Sequence, residues 1–326
     1  FTGYNISKLS LGDTFDGLNG VKICEKYISE KTRRFMESNR VKKPKSIEAP
    51  LFVPHVDSEN IKYYWDTIPV GALITLTAKQ HGTSARYSYS LTNRELPKWK
   101  KFINKLYPIF NNEQWEYLCG TRRVVLFEEN KDKKGFHGAE TFRFEWLEKL
   151  RPYLDKNMVI YGELVGWAND KPIMPTHDIS VLKDKNYEKK YGKGAFVYKY
   201  GCLDKTCDFY IYRISYVSPS NKVLDFTWPQ VKKWCEKTGF KHVKEIEKPF
   251  FYDGDIEKLK SKVEQLTERP EILTEDYIDP SHISEGIVIR VDNDTQIPMF
   301  YKSKSFAFRV LENLVKETEI DTEDAS

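Results

Sequence analysis

The chain has 326 residues, 40% hydrophobic and 31% charged, a balance that excludes an intrinsically disordered protein and supports a sizeable core. No apolar run approaches the roughly 20 residues that span a bilayer, and no charged-apolar-small leader opens the sequence, so a cytoplasmic location is expected. The formal net charge of +4 is too small to signal nucleic acid unaided, but it is compatible with a localised basic face.

Five scattered cysteines (Cys24, Cys119, Cys202, Cys207, Cys235) form no CxxC pair. They read as reduced thiols and argue against a cysteine-held structural zinc.

In chain order, residues 1–68 read as an extension ahead of the main body, with a basic helix over 25–43 and an apolar run at 50–54. The stretch 70–77 reads as a strand leading into Lys79, and 86–90 as its continuation. Residues 95–110 (ELPKWKKFINKLYPIF) look like an insert whose basic residues alternate with aromatics, a composition suited to phosphate tracking and base contact. The same pattern also suits an amphipathic helix. Phe142, Trp146, Leu147 and Leu150 recur at helical spacing, and Pro152 ends that helix. Strands are expected at 158–165, 209–216 and 286–291. Thr227 and Gln230 form a capping box with Phe226 stapled onto Val231. Asp255 caps a helix whose core face is Ile256, Leu259, Val263 and Leu266, with Pro270 as its stop. The acidic tail 313–326 reads as a solvated end.

Lys79 is the most informative residue. It follows an apolar strand and opens the string Lys79-Gln80-His81-Gly82-Thr83-Ser84. A lysine amine attacks phosphorus only when unprotonated, so it needs a dry or cation-rich setting. Downstream come Gly120-Thr121-Arg122-Arg123, then Tyr161-Gly162-Glu163-Leu164-Val165-Gly166, Ser284-Glu285-Gly286-Ile287-Val288-Ile289-Arg290 and Tyr301-Lys302-Ser303-Lys304. Singly, each has a bland account as a strand mouth, a turn or an exposed face. Together they supply an amine nucleophile, cations for a triphosphate and carboxylates for a hard metal, the parts nucleotidyl transfer requires. Lys302 and Lys304, two apart on one strand, share a face.

The order and wording of these strings resemble the covalent nucleotidyltransferase superfamily of ligases and capping enzymes. They look closest to the RNA ligase 2-like family of phage and kinetoplastid editing ligases. The resemblance covers about residues 70–310. It implies an α+β fold, the ATP-grasp-like ligase arrangement of antiparallel sheets flanked by helices, with 69–312 as the adenylyltransferase domain. It implies that Lys79 forms a lysyl-AMP adduct with ATP and Mg²⁺ or Mn²⁺, passes AMP to the 5′-phosphate end of RNA, and that a 3′-hydroxyl then closes the phosphodiester. Glu163 would contact the ribose or help seat the metal, and Glu285 would serve the metal. Lys302 and Lys304 would hold the α-phosphate, Arg122 rather than Arg123 would contact the sugar, and Tyr212 would stack on adenine. The resemblance also suggests a phage or virus-like source and a role in RNA repair.

Two positions depart from the family pattern. Ala78 stands where relatives carry Glu, and Ser84 where they carry Asn. The short stretch after Lys304 leaves no room for the C-terminal barrel of DNA ligases. Either such a module has been removed, or residues 1–68 and the 95–110 insert take its place. A GTP-using capping guanylyltransferase would present K-x-D-G at the nucleophile. A non-catalytic end-binding module would not require Lys79, Glu163, Glu285, Lys302 and Lys304 together.

Overall fold

The computed structural model describes residues 17–18, 21–22, 47–107, 109–132, 134–135, 137–268, 283–293 and 297–312. The expected basic helix at 25–43, Pro270 and the acidic tail lie outside them. The chain divides into two compact units, Phe1–Lys43 with Ile320–Ala325, and Pro44–Glu319 with Ser326. In the first, β1 (Gly17–Leu18) pairs antiparallel with β2 (Val21–Lys22). The boundary expected at residue 68 falls inside the second unit, because Leu51, Phe52, Ile61 and Ile68 are buried in its cores.

The strands of the larger unit begin with β3 (Ile47–Glu48), β4 (Glu59–Asn60), β5 (Leu73–Ala78), β6 (Thr83–Arg94), β7 (Glu113–Gly120) and β8 (Val125–Leu126). A hairpin of β9 (Lys134–Gly135) and β10 (Gly138–Ala139) follows, then β11 (Met158–Ala168), β12 (Lys171–Pro172), β13 (His177–Asp178) and β14 (Ala195–Phe196). The last are β15 (Cys207–Val217), β16 (Val223–Asp225), β17 (Phe250–Phe251), β18 (Gly286–Asp292) and β19 (Met299–Lys304). Helices among the described residues are α1 (Lys98–Leu106), α2 (Thr141–Leu150), α3 (Lys185–Tyr191), α4 (Trp228–Thr238), α5 (Ile256–Thr267) and α6 (Phe306–Leu311).

Two large sheets result. One runs β16-β15-β11-β6-β7-β8, with β12 added on β11 and β3 on β6; the other runs β17-β5-β18-β19-β4. Pairing is antiparallel throughout both, except where β4 joins β19 in parallel. The expected α+β class with antiparallel sheets and flanking helices is what forms.

Alternation of side chains explains the layers. On β11, Met158 and Ile160 enter a core shared with Phe142, Trp146, Leu147 and Leu150 of α2 and Trp228 and Val231 of α4. Val159 and Tyr161 enter the opposite core with Leu51, Phe52 and Leu118. Leu259, Val263 and Leu266 of α5 cover the second sheet. Tyr87, Tyr198 and Tyr200 are buried, so these tyrosines pack the interior instead of stacking on bases. Both predicted caps form: Gln230 Oε1 accepts from Thr227 N at 2.8 Å, and Asp255 Oδ1 from Lys258 N at 3.0 Å.

The insert folds as α1, and Trp99, Phe102 and Leu106 on it stay exposed. Cys119, Cys202, Cys207 and Cys235 are free thiols. No helix among the described residues is long and apolar enough to cross a membrane.

Candidate active site

The Lys79 loop is where the chain changes sheets. The sequence suggests that 86–90 continues the strand before Lys79. Instead β5 lies in the five-stranded sheet, residues 79–82 turn, and β6 enters the eight-stranded one. Lys79 N donates to Gly286 O at 3.0 Å, which locks the loop onto the start of β18. Gly82 is needed for clearance, since a Cβ there would strike Leu164 O and the Glu163 side chain.

Two lysine amines and a histidine ring converge on one carboxylate here. Lys79 Nζ lies 2.9 Å from Glu285 Oε1, and Lys304 Nζ lies 3.5 Å from the same atom. His81 Nδ1 stands 3.6 Å from Glu285 Oε2. Glu285 is fully buried and the Lys79 and Lys304 side chains nearly so. Burial pushes the Glu285 carboxyl up. The Lys79 and Lys304 charges, with His81, outweigh it and hold the group well below the usual carboxylate range.

Register explains this convergence. Gly286 pairs with Lys304 and Val288 with Lys302, so both lysines lie on β19 directly beside the strand that Glu285 precedes. Gly286 adopts φ +142°, and a Cβ would collide with Ser303 O, so only glycine lets the strands approach this closely.

A second group surrounds Tyr212. Across β11 and β15, Tyr161 pairs with Arg213 and Gly162 with Ile211, so Tyr212 is the extra residue of a β-bulge. Its hydroxyl and that of Ser84 are 2.9 Å apart, and Ser84 pairs across the ladder with Glu163. Burial raises the Tyr212 phenol's pKa, with a further push from Glu163 that Ser84, Arg122 and Arg213 oppose. Tyr212 O accepts from Arg290 Nη1 at 3.3 Å, and Arg290 is held by Asp292 at 2.8 Å. The Arg of the Glu285-Gly286 string is therefore a strut between the two sheets.

Arg122 and Arg123 separate clearly. The Arg122 side chain is 11% exposed and 2.6 Å from Asp57; that of Arg123 is 57% exposed. Arg122 also acts on Tyr212 and on His55, whereas Arg123 reaches Asp57 at 3.5 Å from a more exposed position.

Some site residues had no clear signal in the sequence. His55 packs its ring 4.9 Å from Tyr212 and 5.1 Å from Phe300. Burial, then the charges of Arg213, Arg122 and Arg290, lower its pKa well below the ordinary value. Arg143 of α2 donates to Ser84 O at 2.8 Å and Thr83 Oγ1 at 2.7 Å, and is held by Glu140 at 2.7 Å. It therefore clamps the loop from beneath. Ala78 N donates to Lys244 O at 2.9 Å, and the residue pairs with Ile287 on β18. At position 84 the serine hydroxyl is occupied by Tyr212.

Buried amines on a carboxylate, a bulged aromatic and a sheltered arginine define a nucleotide-handling class of site. A family model described as RNA ligase matches residues 73–309, and the chain belongs to the RNA ligase family. No curated protein matches it. The chain is similar in structure to Naegleria gruberi RNA ligase, represented by a variant with ATP and Mn (14% identity, TM-score 0.47, 82% of this chain and 60% of that one). It is also similar to a variant with AMP and Mn (15%, 0.47, 85% and 62%) and to an apo variant (14%, 0.48, 91% and 66%). The chain thus spans about three fifths of the length of the first of these.

Proposed function

We propose that this chain is an ATP-dependent RNA ligase that works through a lysyl-AMP intermediate on Lys79. One observation carries the proposal: a buried lysine whose ammonium shares the Glu285 carboxylate with Lys304, at 2.9 and 3.5 Å. Glu285 holds the Lys79 amine in place beside a second cation, and the amine must give a proton to solvent before it attacks.

Freed of that proton, Lys79 Nζ attacks the α-phosphorus of ATP. An N–P bond forms as the P–O bond to pyrophosphate breaks. Lys302 and Lys304 hold the negative charge that builds on the α-phosphate oxygens. A terminal 5′-phosphate oxygen of RNA then attacks the same phosphorus and the N–P bond breaks, returning Lys79 to the amine. Finally a 3′-hydroxyl attacks the activated 5′-phosphorus, a phosphodiester forms and AMP leaves.

Tyr212, raised by its bulge, offers the ring face for adenine, with His55 beside it. Arg122 serves the sugar, since Arg123 is too exposed to reach inward. Glu163 and Glu285 are hard oxygen donors and fit Mg²⁺ or Mn²⁺. When bound, such an ion would screen phosphate charge and compete with Lys79 for Glu285. We assign residues 69–312 as the adenylyltransferase body on this reading, with α1 as a face for RNA.

The test is incubation with ATP or GTP labelled at the α-phosphate, in Mg²⁺ or Mn²⁺, followed by denaturation. Label from ATP that is absent in Lys79→Ala, and that chases into joined RNA, supports the reading. Label only from GTP makes the chain a capping-type enzyme. Retained RNA binding without label from either nucleotide makes it a non-catalytic end binder.

A further inference from the structure

The Lys79 loop carries a cluster of donors that the proposed reaction leaves unused. His81 is 1% exposed, and neither ring nitrogen makes a hydrogen bond among the described residues. Its Nε2 lies 3.4 Å from Glu312 Oε1. His177, at the start of β13, sets its ring 5.5 Å from that of His81, centroid to centroid. His177 Nε2 is buried without a hydrogen bond among the described residues. One donor atom from each of His81, His177 and Glu312 lies within 4.8 Å of the other two. Tyr198 and Phe308 wall the cluster, each with its ring 4.9 Å from that of His81.

Buried polar atoms left without a hydrogen bond cost about 1–3 kcal/mol each. Both ring nitrogens of His81 and Nε2 of His177 are such atoms, and Glu312, which also pairs with Lys304 at 3.7 Å, brings its carboxylate to the same point from the end of α6. Such convergence points to a ligand. We propose that His81, His177 and Glu312 form a site for one borderline divalent transition-metal ion such as zinc.

The donor set suits that ion. Two imidazole nitrogens and one carboxylate oxygen select zinc and its neighbours over magnesium, which prefers oxygen alone. Zinc–nitrogen bonds of about 2.0–2.1 Å set tetrahedral ligands roughly 3.3 Å apart, so the 3.4 Å edge already fits and small side-chain rotations close the rest. A three-residue set leaves the fourth position to water. The outer contacts also match: metal-bound histidines commonly give their other ring N–H to a carboxylate or a carbonyl. His81 Nδ1 faces Glu285 at 3.6 Å, which leaves its Nε2 for the ion, and the buried Nε2 of His177 is the nitrogen placed to join it. The ion would tie the Lys79 loop to the end of α6, with Glu285 as the outer partner of His81.

The test uses the full chain, stripped with a chelator and dialysed against zinc in excess Mg²⁺. Wild type should retain about one zinc per chain. His177→Gln and Glu312→Gln should each bind more weakly by over the roughly 10- to 100-fold typical of losing an outer partner. Cobalt substitution gives a second readout, a visible d–d band in wild type that both variants lose. Circular dichroism of the metal-free proteins checks that the variants fold. No zinc on wild type, or equal zinc on wild type and folded variants, overturns the proposal; the second result would assign the metal to thiols.

Discussion

The buried arginines on and against the eight-stranded sheet and the buried lysines at the edge of the five-stranded one carry their charges in opposite ways. Arg213 grips Asp225 with two bonds of 2.5 and 2.9 Å, both side chains 2% exposed. Arg143 distributes its nitrogens over Glu140, Ser84 O and Thr83 Oγ1. Each is a closed set in which the fork geometry of arginine is satisfied. Lys79, Lys304 and His81 instead share Glu285 at 2.9, 3.5 and 3.6 Å. Lysine is a point charge that can turn to a new partner without disturbing the backbone. The comparison teaches that closed pairs are scaffold, while a shared carboxylate is a site whose cations can be handed to phosphate.

The largest effect should follow from opening a closed set. Arg143→Ala strands Glu140 and frees the Thr83–Ser84 backbone, so unfolding free energy should fall by about 3–5 kcal/mol in denaturant titration. Lys304→Ala should do the reverse, slowing adenylation by about 10²–10³-fold in a single-turnover assay while moving the denaturation midpoint far less. Equal loss of stability in both variants would erase the distinction between the two regions.

Acid sharpens it further. The Glu285 pKa is depressed in the fold, so the native state binds fewer protons than the unfolded one through that window. Its contribution to stability is therefore complete above the ordinary value of 4.5 and is lost as pH falls toward the lowered one. The stability gap between wild type and Glu285→Gln should be full at neutral pH and narrow only below that value, measured by urea titration across pH. The smallest effect separates neighbours: Arg122→Ala should raise KM for ATP about tenfold or more, the equivalent of about 1.4 kcal/mol, with Arg123→Ala near wild type.

Much of this was legible in the sequence because the chemistry sits in short strings. Lys79, Glu285, Lys302 and Lys304 are fixed by strand register, which alternation reveals. The change of sheet after Lys79 was not legible, since a strand broken by a turn looks the same whichever sheet receives its second half. The Tyr212 bulge did leave a trace. Phe209 and Ile211 share a core with Ile214, so the inward phase slips by one residue at Tyr212. His55, His177 and Glu312 lie in segments without periodicity, and Arg143 is a polar position on a periodic helix whose partners are remote in sequence, so only tertiary packing brings them to the site. The burial of Leu51 and Phe52 was hidden for a related reason: they form a short apolar run whose partners, Leu118 and Val159, are remote in sequence.

The account rests on Lys79 as the adenylated residue, and intact-mass and peptide-mass spectrometry after incubation with ATP and Mg²⁺ or Mn²⁺ tests it most directly. The prediction is a mass increase of one AMP, acid-labile and base-stable, mapped to the peptide containing Lys79 and absent from Lys79→Ala. An adduct on Lys302 or Lys304, or none under conditions where the folded protein binds ATP, would contradict it.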